Sequence, residues 1–323
     1  MGYLLSVLWR IAAIAALFIA PALQGVVVDW GAQCREGDSV SCHTVAEAYA
    51  AEGETVGAVR FYSQACDLHL ADGCTQAAIL QERHGKLEEA RAYFSKACNA
   101  NDALACASLA ERLNRDGKPE DAQKFLEAAC VRGAGGSCSL LGADGEQRGD
   151  RTAARQWFTR GCQFNHGEGC NQMGRLERAE GRNAQATTFF ERACLLQSAT
   201  GCSGLADSFR DKKAPQEATR YYTMACRYGD YVGCNNLGVN EEIAGHLDLA
   251  KKWYKLSCEK NVAQGCQNSG LHARKEGRFK DSAAFFARAE KILKTGCTNG
   301  VGTSCAELRA FQTRSPASDD SKK

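Results

Sequence analysis

Aromatic, small and polar positions recur along this chain with a period of 32 residues. Positions are counted here from Cys34, with the count restarting every 32 residues. Position 27 is aromatic in all eight full units: Phe61, Tyr93, Phe125, Trp157, Phe189, Tyr221, Trp253 and Phe285. Position 28 is aromatic in seven, with Leu126 the exception. Position 24 is alanine in seven, with Ser282 the eighth, and position 31 is always small, from Ala65 to Ala289. The 24, 27, 28, 31 rhythm is one face of an α-helix. Position 8 and the small position 12 (Ala46, Ala78, Ala110, Gly142, Gly174, Ala206, Gly238, Gly270) lie one turn apart on a second helix. Between the two, position 19 is glycine in seven units and Lys213 in the eighth, a left-handed helix stop. The pattern predicts helix A over about positions 7–17, a tight turn, and helix B over about 20–32. The aromatic at position 27 is expected to fill the space between neighbouring hairpins. One such hairpin cannot bury its apolar face alone, so the units must stack into an all-α array.

Cysteine usage sharpens the repeat. Every cysteine belongs to a Cys-x7-Cys pair: Cys34 and Cys42, Cys66 and Cys74, Cys98 and Cys106, Cys130 and Cys138, Cys162 and Cys170, Cys194 and Cys202, Cys226 and Cys234, Cys258 and Cys266, Cys297 and Cys305. The first cysteine falls at the end of helix B and the second opens the next helix A. A bond between them closes the hairpin across the inter-repeat loop, where antiparallel helices approach closely enough for disulfide geometry. The register breaks once, because Cys297 follows the expected place by seven residues. Seven residues are nearly two helical turns and return to almost the same face. The last helix B is therefore expected to lengthen through Ile292, Leu293 and Lys294, with Cys297 to about Phe311 forming a capping helix.

Composition narrows the partners. With 40 basic and 38 acidic residues the net charge is +2, and no long basic run breaks the balance. Nucleic acid and an anionic membrane surface are not the expected partners. Residues 1–22 read as a secretory signal: Arg10, then an apolar run from Ile11 to Ala20, then Ala20-Pro21-Ala22. The same stretch could stay as an N-terminal anchor, the one route to a membrane. Residues 23–33 read as a linker, 34–311 as the repeat array and 312–323 as a disordered tail. Export and paired cysteines agree, since disulfides persist outside the reducing cytosol. A periplasmic or secreted monomer is expected.

The unit resembles the Sel1-like repeat. The residues that carry the likeness are Leu141-Gly142 and Leu237-Gly238 on helix A, the glycine at 19, the alanine at 24, the aromatic pair, and Lys96-Ala97-Cys98 or Arg192-Ala193-Cys194. The Cys-x7-Cys hairpin makes it similar to the Helicobacter cysteine-rich proteins within that group. The A-to-B loop is shorter here than in typical members. The resemblance implies an α/α solenoid, a right-handed superhelix of about eight disulfide-stapled helix-turn-helix repeats, binding a protein or peptide in its concave groove. It also implies an alternative, penicillin-binding or weak β-lactamase activity on β-lactams or peptidoglycan fragments.

Candidate chemistry is sparse. Ser257-Cys258-Glu259-Lys260 matches the Ser-x-x-Lys of a serine β-lactamase and Lys294-Thr295-Gly296 matches Lys-Thr-Gly, but no Ser-Asp-Asn occurs. Ser257 also occupies the small position 31, where packing explains it. Zinc sites use closer cysteine spacing than x7, and the six histidines (His43, His69, His84, His166, His246, His272) share no repeat position. Gly133-Ala134-Gly135-Gly136 follows no strand and reads as an inter-repeat loop rather than a phosphate cradle. Nine identical pairs argue for structural rather than redox cysteines. No cofactor or metal is expected and no catalytic residue is assigned. For binding, the variable position 15 of helix A (Gln81, Glu177, Phe209, Glu241) supplies the candidates for the groove.

Overall fold

The computed structural model describes residues 30–314. The expected signal or anchor, 1–22, lies outside them, as does 315–323 of the expected tail. Residues 30–35 are helical, so the stretch read as a linker is helix from Trp30 onward, and it carries Cys34 into the first staple. The following helices are α1 (Ser39–Ala51), α2 (Thr55–Asp67), α3 (Ala71–Arg83), α4 (Leu87–Asn99), α5 (Ala103–Arg115), α6 (Pro119–Val131), α7 (Gly135–Gln147), α8 (Arg151–Gln163) and α9 (Gly167–Ala179). They continue as α10 (Asn183–Leu195), α11 (Ala199–Asp211), α12 (Pro215–Arg227), α13 (Tyr231–Ile243), α14 (Leu247–Glu259), α15 (Ala263–Lys275), α16 (Phe279–Thr298) and α17 (Gly302–Arg314). Odd-numbered helices are A and even-numbered ones are B. A typical helix A, α3, covers positions 5–17, and its helix B, α4, covers 21–33.

Both turns of the repeat use a left-handed residue. Position 19 has positive φ in all eight units, including Lys213 at 59°. Position 3, just after the first cysteine, does the same: Gly37, His69, Asn101, Gly133, Asn165, Gln197, Gly229, Asn261 and Gly300. In the first complete hairpin the His69 N–H donates to the Cys66 carbonyl at 2.9 Å and Leu70 N–H to the Ala65 carbonyl at 3.0 Å. The same two bonds recur at the other turn, from Gly85 to Glu82 and from Lys86 to Gln81. This pairing satisfies carbonyls that a helix end would leave bare. The following helix A starts on a side-chain cap where one is available, as with Asp102 accepting from Leu104 and Ala105.

The ring at position 28 fills the hairpin. Tyr62, Phe94, Phe158, Phe190, Tyr222 and Tyr254 are all 5% exposed or less. Position 27 does not do this job: all eight of its rings are only half-buried. The expectation that position 27 fills the space between hairpins is thus corrected by one residue, because a step of 100° turns helix B's inner face onto position 28. Position 12 is small because the ring at 28 rests on it. A Cβ on Gly174 would come within 2.6 Å of the Phe190 ring, and one on Gly238 within 2.7 Å of Tyr254. Position 7 is small because it meets position 31 of the preceding helix. A Cβ on Gly201 would lie 2.4 Å from the Ala193 Cβ.

The chain forms two compact units, the first ending at Leu141 and the second beginning at Gly142. In the first, one core gathers Phe94, Leu109 and Leu113 with small residues of α3 to α6, and another surrounds Tyr62. In the second, successive cores form around Phe158 and Met173, around Phe190 and Leu205, and around Tyr222 and Leu237. At the C-terminal end the last helix B is lengthened through Ile292, Leu293 and Lys294 as expected, while the capping helix starts later than Cys297. Helix α16 runs 20 residues and contains Cys297, and the final helix begins only at Gly302 and reaches Arg314. The left-handed Gly300, not Cys297, makes the break.

Candidate interaction surface

All nine cysteine pairs are disulfides to the expected partner, Cys34–Cys42 through Cys297–Cys305, with Cα–Cα distances of 4.4 to 4.8 Å. Each joins the last turn of one helix B to the first turn of the next helix A. Eight bridges are buried, and Cys297–Cys305 is half-exposed. The half-buried position 27 ring leans on its own unit's bridge, as Phe61 does on Cys34–Cys42 and Phe189 on Cys162–Cys170.

Three of the four position 15 candidates do not line an open surface, and Phe209 is half-buried. Gln81, Glu177 and Glu241 are buried, at 8%, 4% and 8% exposed. Glu177 accepts from both Arg155 and Arg182, and those guanidiniums hold its carboxyl below the usual range, Arg182 first. Glu241 meets His246 Nδ1 at 2.7 Å. Phe209 stacks on Tyr221 with ring centroids 5.3 Å apart. Position 15 ends helix A on the side facing helix B, so its variation reflects how each hairpin is closed.

Polar ladders run between neighbouring units instead. Position 16 of one helix A meets position 14 of the next: Glu82 with Arg112, Arg178 with Ser208 at 2.8 Å, and Glu242 with His272 at 3.1 Å. These groups lie against the position 28 rings. The Arg112 and Arg178 guanidiniums sit 4.5 and 4.6 Å from the Phe94 and Phe190 centroids. On the outer edge, a cation at position 25 reaches an acid at position 18 of the next unit: Arg91 to Asp116, Arg155 to Glu180 at 2.7 Å, Lys251 to Glu276 at 2.9 Å. Where position 18 is not acidic, as at His84, Arg148, Lys212 and Ala244, position 25 carries no cation (Val59, Gln123, Thr187, Thr219). Register between neighbours is thus written in charge.

Ser257 is fully buried, and its hydroxyl donates to the Tyr231 carbonyl at 2.7 Å. It packs against Gly265, whose added Cβ would lie 2.6 Å away, and it presents no nucleophile to a substrate. Lys294 and Thr295 lie within α16, with Lys294 ion-paired to Glu290 at 2.7 Å. Gly133 is a left-handed turn residue and Gly135 starts α7. The histidines sit apart: His43 Nε2 lies 2.8 Å from Asp72, His272 is on the α15 ladder, and His69 is a turn residue. No group of three metal-ligating side chains assembles among the described residues, and no described helix is long and apolar enough to cross a membrane.

The helix B face is an open surface that carries aromatic rings. Five of its half-buried position 27 rings carry a cation within 6 Å of the centroid: Arg60 over Phe61, Lys96 over Tyr93, Arg160 over Trp157, Arg220 over Tyr221 and Lys252 over Trp253. Helical spacing alone supplies some of this closeness, since the cations are at positions 26 and 30. Between α14 and α16, floored by Ser269 and His272 of α15, the face opens into a cleft of about 530 Å³. The sequence signal for this face was present in the unbroken aromatic row at 27, but the one-residue offset between packing and exposed rings was not legible from it.

No family model matches the sequence, and no curated protein matches it. Solved structures share its fold. One is a protective antigen from uropathogenic Escherichia coli strains displaying an SLR fold, 18% identical, TM-score 0.65, over 90% of this chain and 68% of that one. Another is a Sel1 repeat protein from Oxalobacter formigenes, 14% identical, TM-score 0.57, over 92% of each chain. At such identities the likeness establishes the fold, and with the helical period and the stapled hairpins it places this chain in the Sel1-repeat fold.

Proposed function

We propose that the protein is an exported, non-enzymatic scaffold that binds a protein or peptide partner through its helix B face. The observation that carries this is the division of labour at positions 27 and 28. Position 28 supplies the core, while position 27 keeps a half-exposed aromatic in every unit, five of them paired with a cation. Aromatic and arginine side chains held on rigid elements are the groups that dominate protein interfaces. Nine disulfides favour an oxidising, extracytoplasmic setting, periplasmic or secreted, with the 1–22 segment as the signal. Kinship with the Helicobacter cysteine-rich proteins, from the cysteine spacing, and a monomeric state belong to this reading.

The test is capture from the extracytoplasmic fraction by the oxidised full chain and by a Trp157→Ala, Trp253→Ala variant. A partner retained by the first and lost by the second is the expected result. Equal capture by both would remove the helix B face from the reading. The β-lactam alternative is checked with a chromogenic cephalosporin. No turnover is expected, and turnover abolished by Ser257→Ala would overturn the scaffold reading.

A further inference from the structure

The chain holds its own control for what is special about one site, because the repeat positions that line the α14–α16 cleft recur in the other units. Positions 25 and 29 come from the earlier helix, and 20, 23, 27 and 30 from the later one. Position 29 is Ser63, Ser95, Glu127, Thr159, Glu191 and Thr223 in the first six units, Lys255 in the seventh and Ala287 in the last. Only the α14–α16 cleft therefore has a cation there. Its lining carries Lys251 and Lys255 on one wall and Arg278 and Arg288 on the other, with Phe285 between and Asp281 the single carboxylate. The corresponding positions of the α10 and α12 units are Thr187 and Glu191, and Ala214 and Glu217.

The four cations are not equivalent. Lys251 and Arg278 share Glu276, at 2.9 and 2.6 Å, and Arg278 also holds Asp281 at 2.6 Å. Those two are fixed in place and largely neutralised. Lys255 has only Glu259, at 4.0 Å, and Arg288 donates to neutral oxygens, the Glu259 carbonyl and Asn261 Oδ1. Arg288 thus brings uncompensated charge, and Lys255 a charge held only by a long contact, to a cleft that Phe285 also lines.

Resting on the scaffold reading, we infer that the α14–α16 cleft receives an acidic segment of the partner, with aspartate or glutamate carboxylates on Lys255 and Arg288 and a neighbouring apolar side chain against Phe285. The chain is near-neutral, +2 overall. A local cationic cleft with an apolar wall fits a short peptide better than a nucleic-acid backbone, which needs many phosphate contacts.

The test uses the full chain and a fluorescein-labelled Glu-Glu-Leu-Glu-Glu peptide, read by fluorescence anisotropy at low salt. Lys255→Gln with Arg288→Gln is expected to weaken binding about tenfold, the loss of two charge-assisted contacts. Both residues are exposed, so the variant should keep its fold, checked by circular dichroism. Lys86→Gln with Lys124→Gln removes the same charge elsewhere and is expected to leave binding unchanged. An equal loss in that control would overturn the assignment, as would wild-type binding by the Lys255 and Arg288 variant. So would binding to phosphatidylglycerol vesicles or single-stranded DNA but not to the peptide. A chain that captures its protein partner without needing Lys255 or Arg288 overturns the cleft assignment and leaves the scaffold reading standing.

Discussion

A single residue decides much in a unit this small. Lys213 occupies the left-handed site that seven other units give to glycine, at φ 59°. A left-handed L-residue costs about 1–2 kcal/mol, of which glycine's greater chain entropy offsets about half. Lys213→Gly is therefore expected to stabilise the protein by about 0.5–1 kcal/mol in urea unfolding. The adjacent rings make a sharper contrast. Phe158 is fully buried and Trp157 is half-exposed, although they are neighbours in sequence. Phe158→Ala should cost about 3–5 kcal/mol, as for a cavity in a packed core. Trp157→Ala should cost well under half of that while removing the exposed ring. If the two variants unfold at the same denaturant concentration, the division between positions 27 and 28 is wrong. Position 28 was visible in the sequence as an aromatic position. That it and not 27 is the core ring depends on how far helix B is turned toward helix A, which spacing does not state.

At the scale of the hairpin, the disulfide and the charge register act on different states. Each bridge closes a loop of the same short length, with a sequence separation of 8, so removing Cys162–Cys170 by a double alanine substitution should cost about 2.5 kcal/mol on the chain-entropy account. The ion pairs act only in the folded state. Lys251 and then Arg278 pull the Glu276 carboxyl down to about 2. A carboxyl whose folded pKa is depressed contributes stability above its unfolded pKa, near 4.5, and loses that contribution as pH falls toward the folded value. The Tm difference between wild type and Glu276→Gln should therefore be full at neutral pH, shrink below about pH 4.5 and vanish near pH 2. A difference that stays constant across that window would show that the Lys251–Glu276 contact does not couple the units. The matching of positions 25 and 18 is legible once the repeat is aligned, but only contact between adjacent units makes it a pair.

At the scale of the whole molecule, stability is distributed, because each hairpin leans chiefly on its neighbours. Bridges then differ in accessibility rather than in kind. Cys297–Cys305, which joins α16 to the last helix, is half-exposed, and the other eight are buried. Limited reduction under native conditions, followed by alkylation and mass spectrometry, should label Cys297 and Cys305 first. Earlier labelling of an internal pair would show that local opening, not exposure, governs reduction.

The amino-acid sequence by itself determined the repeat, its 32-residue step, the left-handed stop at 19 and the partner of every cysteine. These follow from local covalent and helical geometry: a period, a face, and a short loop that brings both cysteines of a pair to one turn. It did not determine which aromatic packs, where the last helix ends, or whether position 15 is open. Those belong to the approach of one helix to another, which position 12 glycines, ring size and neighbouring units settle together. The left-handed position 3 lies between the two cases. Its glycines and asparagines were in view, but the need for a second stop emerged only where helix B turns back into helix A across the staple. The α14–α16 cleft is tertiary in the fullest sense, since Lys255 and Arg288 are 33 residues apart and share a site only because successive B helices lie side by side.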